Sequence, residues 1–98
     1  MTLGTDAEDA RRSLGLLLRA ALVLSRLGEP LDALVGDVRR LTVESAVCVP
    51  ESLWAVACGL REVVCEASDR SPWEIEADLK ELAVRFRAFS SLESLISV

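Results

Sequence analysis

Three prolines, Pro30, Pro50 and Pro72, cut this chain of 98 residues into pieces of helical length. Proline lacks an amide hydrogen and clashes with the preceding turn, so it starts a helix or lies outside one. Between the prolines, apolar residues recur at three- and four-residue steps, the period of an amphipathic helix. The chain therefore reads as one all-α domain over residues 1–98. The expected fold is a compact four-helix bundle built from two αα-hairpins. Residues 91–98, with Leu92, Leu95 and Ile96 on one side, add a fifth helical turn or fray, and residues 1–5 are a second candidate for fraying.

Local signals mark the ends of each segment. Thr5-Asp6-Ala7-Glu8 has capping-box spacing and predicts a first helix from Thr5 or Asp6 to Leu27. Gly28 then supplies the left-handed position that ends a helix, and Pro30 prevents continuation. Pro30 is also the predicted first-turn residue of a second helix, whose face is Leu31, Leu34, Val35, Val38, Leu41 and Thr42. From Leu41 to Val49 the apolar residues alternate, which fits a short strand as well as a helix end. A lone strand has no partner in this chain, so helix end plus connector is the reading. Pro50 opens a third helix to about Ala67, with Leu53, Val56, Ala57, Leu60, Val63 and Val64 inward. Ser71-Pro72-Trp73-Glu74 predicts a capped start for the fourth, where Ile75, Leu79, Leu82, Phe86 and Phe89 form an a/d stripe. Glu76 with Lys80 and Glu81 with Arg85 are its supporting i,i+4 pairs. A 41-residue shift superimposes Asp37, Val38 and Leu41 on Asp78, Leu79 and Leu82, a faint sign of duplication.

The first helix is apolar nearly all round. Leu14, Leu16, Leu17, Leu18, Leu22, Val23, Leu24 and Leu27 cover most of its circumference, leaving a narrow polar stripe of Arg12, Arg19 and Arg26 with Gly15. Such a helix must be covered on several sides. It sits centrally among the other three, or a second chain covers one flank. A domain this small buries only part of its surface, which favours the second chain. The arginine ridge reads as a solvated stripe whose stems cover neighbouring leucines. The sharper reading is a docking line for an acidic partner, another copy of this chain included.

Chemistry is scarce. The chain has no histidine and no tyrosine. That removes Ser-His and Cys-His nucleophiles and the commonest metal ligand. The glycines are isolated, so there is no phosphate loop. Carboxylate pairs such as Glu62 with Glu66 and Glu74 with Asp78 read as solvated faces. Cys48, Cys58 and Cys65 lack C-x-x-C spacing for zinc. Cys58 and Cys65 on one helix would lie about 10.5 Å apart, beyond the roughly 7 Å that a disulfide spans. Three small buried hydrophobes in a reducing compartment is the expectation.

The charge distribution excludes partners too. Net charge is -5, and bases are no commoner than acids in either half, so no nucleic-acid footprint is expected. Leu14–Leu24 is too short for a membrane span and contains Arg19. Arg11-Arg12-Ser13-Leu14 has a twin-arginine flavour, but no small-residue cleavage site follows. The near absence of lysine suits a bacterial, GC-rich coding sequence.

These readings converge on a cytoplasmic, non-catalytic interaction module without cofactor or metal: a regulator, adaptor or antitoxin-like partner, in a homodimer or a hetero-complex. The residues assigned to the partner interface are Leu16, Arg19, Val23 and Arg26 of the first helix, Trp54 of the third, and Trp73 and Val84 of the fourth. Tryptophan is common at binding hot spots. The alternatives are a secreted helical-hairpin export substrate or a bundle that binds a small ligand. The Trp-x-Gly turn of such export substrates is missing, since Trp54 precedes Ala55-Val56 and Trp73 precedes Glu74-Ile75.

Overall fold

The computed structural model of the chain describes residues 7–97, with side chains through residue 88. Four α-helices carry the fold: α1 Ala7–Leu27, α2 Val35–Ser45, α3 Glu51–Cys65 and α4 Pro72–Ser97. Single 3-10 turns lie at Asp32–Leu34 and Ala67–Asp69, and there is no strand among the described residues. The thinnest dimension is 19 Å, two helix diameters of about 10 Å. The all-α bundle is thus two layers thick. Its broadest contacts run between α2 and α3 and between α1 and α4, with α3–α4 close behind and α1–α2 thinner. The chain's first and last helices therefore close the ring. They run antiparallel, because Arg26 meets Glu76 while Gly15 meets Phe86.

The core follows the predicted faces. Leu14 and Leu18, Val38 and Leu41, Leu53, Val56, Leu60 and Val64, and Ile75, Leu79 and Leu82 are all buried in one cluster. Burial of each such side chain contributes about 1.5–3 kcal/mol. Gly28 ends α1 at φ 74, with its amide on the Ser25 carbonyl at 3.1 Å and the Glu29 amide on the Leu24 carbonyl at 2.9 Å. That pair of bonds is a Schellman motif, and it satisfies carbonyls the helix leaves open.

Several boundaries differ from expectation. Pro30 does not begin α2. The chain stays irregular through Glu29 and Pro30, buries Leu31, makes the 3-10 turn, and becomes α-helical only at Val35. A tighter turn brings Leu31 into the core while Pro30 stays outside. The ambiguous stretch is helix to Ser45 and then turn, with Thr42 and Ser45 buried. Their hydroxyls donate to the Val38 and Leu41 carbonyls one turn back, so burial leaves neither unpaired. The third helix stops at Cys65, two residues early, and Ala67 belongs to the 3-10 turn. No fifth helix occurs among the described residues, because α4 runs unbroken to Ser97.

The capping box at Ser71 does not form. Glu74 and Ile75 amides both bond the Ser71 carbonyl at 3.1 Å, and the buried Ser71 hydroxyl has no partner among the described residues. The Thr5–Glu8 box, and the side chains of Phe89, Leu92, Leu95 and Ile96, lie outside the described residues. The cysteines are free but are not core residues: Cys48 and Cys58 are half-buried and Cys65 is exposed. Cys48 lies in the turn after α2 and packs only partly on the core, and Cys58 and Cys65 fall outside the buried face of α3, so the expected burial of all three is not met.

Candidate functional site

The site begins with the two sides of α1. Ala10, Leu14, Leu18 and Ala21 are buried and share one side. At about 100° per residue, Leu16, Ala20, Val23 and Leu27 fall on the opposite side, at steps of four, three and four. Leu16 is 61%, Val23 48% and Leu27 69% exposed, and Ala20 is half-buried. α1 is therefore apolar front and back, and only the front is covered by this chain. It is a bundle edge, not a helix wrapped by the other three.

α4 does the same on a smaller scale. Its core residues Ile75, Leu79 and Leu82 face inward, while Trp73 and Val84 on the far side are 71% and 63% exposed. Five of the seven large exposed apolar side chains among the described residues thus belong to α1 and α4. The other two, Val43 and Val47, lie on α2 and the turn after it.

Between α1 and α4 runs a groove of about 440 Å³. Its floor is Gly15, Leu18, Leu22, Ala83 and Phe86, and its charged rim is Glu8, Arg11, Arg12, Arg19 and Arg87. Gly15 shapes it. A β-carbon there would lie 3.2 Å from the Phe86 ring, so the missing side chain is what lets α4 approach. Gly15 is half-buried against that ring, not part of a solvated stripe as expected. The arginine ridge therefore flanks the α4 seam. At one end Arg26 donates from Nε to Glu76 at 3.2 Å, and Lys80 Nζ stands 3.5 Å from the same carboxylate. Arg26, and after it Lys80, hold the Glu76 carboxyl below its usual value. Arg12 has the exposed Glu8 at 3.7 Å. Among the described residues, neither Arg19 nor Arg87 has an acidic side chain in ion-pair range.

Six of the residues assigned from sequence, Leu16, Arg19, Val23, Arg26, Trp73 and Val84, are thus placed on the α1–α4 pair. Trp54 stands apart. It is half-buried, and its indole donates to the Thr42 carbonyl at 3.0 Å, tying α3 to the last turn of α2. Sequence reasoning missed Leu27, Phe86 and Arg87. Leu27 was legible, because it continues the 16-20-23 spacing. Phe86 and Arg87 were not, since nothing local says which helix lies across from Gly15.

The other charged clusters are structural. Arg70 pairs with Asp78 and lies 4.0 Å from Glu66, and Arg85 meets Glu81 at 2.9 Å. Among the described residues no three His, Cys, Asp or Glu side chains are grouped to hold a metal, and no helix is long and apolar enough to cross a membrane. The chain matches no known family, and no curated protein or solved structure shows detectable similarity to it.

Proposed function

We propose that the protein is a non-catalytic helical interaction module, a small regulator, adaptor or antitoxin-like partner of the bacterial cytoplasm, working as a homodimer or within a hetero-complex. The outward apolar stripe of α1 carries this reading. Leu16, Val23 and Leu27 repeat at coiled-coil spacing on the side of the helix away from the core. Leaving such a row in water costs burial energy that a partner surface recovers. Trp73 and Val84 are a second exposed apolar pair, on the neighbouring helix α4.

Size-exclusion chromatography with light scattering tests it. The expected result is a dimer or a stoichiometric complex with a copurified protein, which Leu16→Glu with Val23→Glu dissociates while helicity is retained. A monomer that brings no partner through purification sinks the reading.

A further inference from the structure

The groove between α1 and α4 is basic on an acidic protein. Four arginines and one glutamate line it, whereas the whole chain carries a net charge of -5. These cations stand beside the apolar floor of Leu18, Leu22 and Phe86 and beside the exposed Leu16. Arg19 on one wall and Arg87 on the other have no acidic partner among the described residues, and the Arg12–Glu8 pair is largely exposed on both sides. Exposed pairs of that kind hold little energy and exchange readily.

The shape selects the kind of ligand. The groove is only partly enclosed, and its lining runs along α1 from Glu8 to Leu22, whereas a small-molecule site encloses most of its ligand, roughly 70–90% of its surface. A partly open, apolar-floored channel between two helices fits the face of a third helix. The charge selects its composition. Arginine matches carboxylates in a bidentate fork. Arg19 and Arg87 present that fork from the two walls of the groove, so carboxylates on both flanks of an inserted helix meet them.

A second copy of α1 is a poor occupant. The ridge lies along one edge of the apolar stripe. An antiparallel pair of stripes sets ridge against ridge, and a parallel pair sets each ridge against Leu17 and Leu24, which already pack on the core. Neither arrangement neutralises the arginines.

We infer that the α1–α4 groove receives an acidic amphipathic helix of a different protein. Its apolar face lies on Leu16 and Phe86, and its carboxylates engage Arg19 on one wall and Arg87 on the other. This rests on the interaction-module reading and names the partner's chemistry.

The test uses the full chain and two labelled synthetic helices of about 21 residues, followed by fluorescence anisotropy at about 0.01 M and 0.15 M salt. Both peptides carry leucines on one face; one flanks them with glutamates at seven-residue intervals, the other with lysines. The acidic peptide is expected to bind about tenfold or more tighter, with the gap narrowing at the higher salt. Arg19→Glu with Arg87→Glu abolishes that preference. Arg39→Glu with Arg61→Glu, the same charge change on exposed residues away from the groove, preserves it. Equal binding of the two peptides, or equal loss in the two variants, overturns the inference. Light scattering on the same samples separates the two claims. A dimer indifferent to the acidic peptide overturns the groove assignment and leaves the module standing; a monomer that binds neither peptide and copurifies with nothing removes both.

Discussion

Leu82 of α4 rests against Gly59 of α3 so closely that a β-carbon on Gly59 would lie 2.8 Å from Leu82 Cδ2. One turn further along α4, Phe86 makes the matching approach to Gly15 of α1. Two successive inward residues of α4 thus use the two glycines as seats, one on each neighbouring helix. Both glycines lie inside helices, where glycine costs about 1 kcal/mol against alanine. Closer packing of three helices offsets that cost.

Two effects oppose each other in Gly59→Ala. Overpacking costs about 1–3 kcal/mol, and helix propensity returns about 1 kcal/mol. Net destabilisation of about 1 kcal/mol is expected, because Leu82 is buried and has little room to retreat. In a Leu82→Ala background the same change becomes stabilising. Urea unfolding of the four-member cycle measures the coupling, and strict additivity would contradict the packing described.

Two other glycines, Gly36 and Gly28, differ in backbone geometry. Gly36 has open space where a β-carbon would stand and an ordinary backbone, so Gly36→Ala raises stability by about 0.4–1 kcal/mol. Gly28 has φ 74, so Gly28→Ala lowers it by about 1–2 kcal/mol despite equal space. Thermal melts that rank the two variants the other way would show that α1 does not end in the described motif.

Leu60 and Leu79 are both 0% exposed. Either one changed to alanine loses about 2–5 kcal/mol, which lowers Tm by roughly 10–30 °C for a domain of this size. Val47, at 90% exposure, changes stability by no more than about 0.5 kcal/mol when replaced by alanine. Calorimetry on the three variants checks the contrast.

Glu76 gives the fold a mild acid sensitivity. Its hydrogen bond from Arg26, and after it the charge of Lys80, lower its folded pKa below the usual 4.5. A depressed carboxyl pKa contributes stability above the unfolded value and loses it as pH falls through the folded value. The Tm difference between wild type and Glu76→Gln should be largest near neutrality and shrink to nothing below the folded pKa. Arg26→Met should remove most of that pH dependence. A difference that grows on acidification would reverse the assignment.

The two tryptophans should separate spectroscopically. Trp73 is 71% exposed, whereas Trp54 is half-buried and bonded to Thr42. Acrylamide should quench Trp54→Phe, which retains Trp73, more strongly than Trp73→Phe. Trp54→Phe should also cost about 1 kcal/mol from the lost hydrogen bond, while Trp73→Phe leaves stability unchanged.

Much of the fold was readable locally. The α1 terminus at Gly28, the inward faces of α3 and α4, and the pairs Glu76–Lys80 and Glu81–Arg85 depend on residues within a turn or two of one another. Failures came where a neighbour's demands overrode a local signal. Pro30 looked like a helix start, but burying Leu31 required a tighter turn first. Ser71 looked like a cap, but the Glu74 amide bonds its carbonyl instead of its hydroxyl, which is left buried without a partner among the described residues.

For the site, spacing alone placed Arg12, Arg19 and Arg26 on one ridge and showed that α1 is apolar on opposite sides. Spacing could not choose between those sides, because Leu14 and Leu18 are the same residue type as Leu16 and Leu27. Packing against α2, α3 and α4 made the choice, covering one row and leaving the other in water. It also brought Arg87 into the groove that Arg19 lines, 68 positions away in the chain. Helical period is set by each segment's own residues; which face is spare depends on how the segments meet.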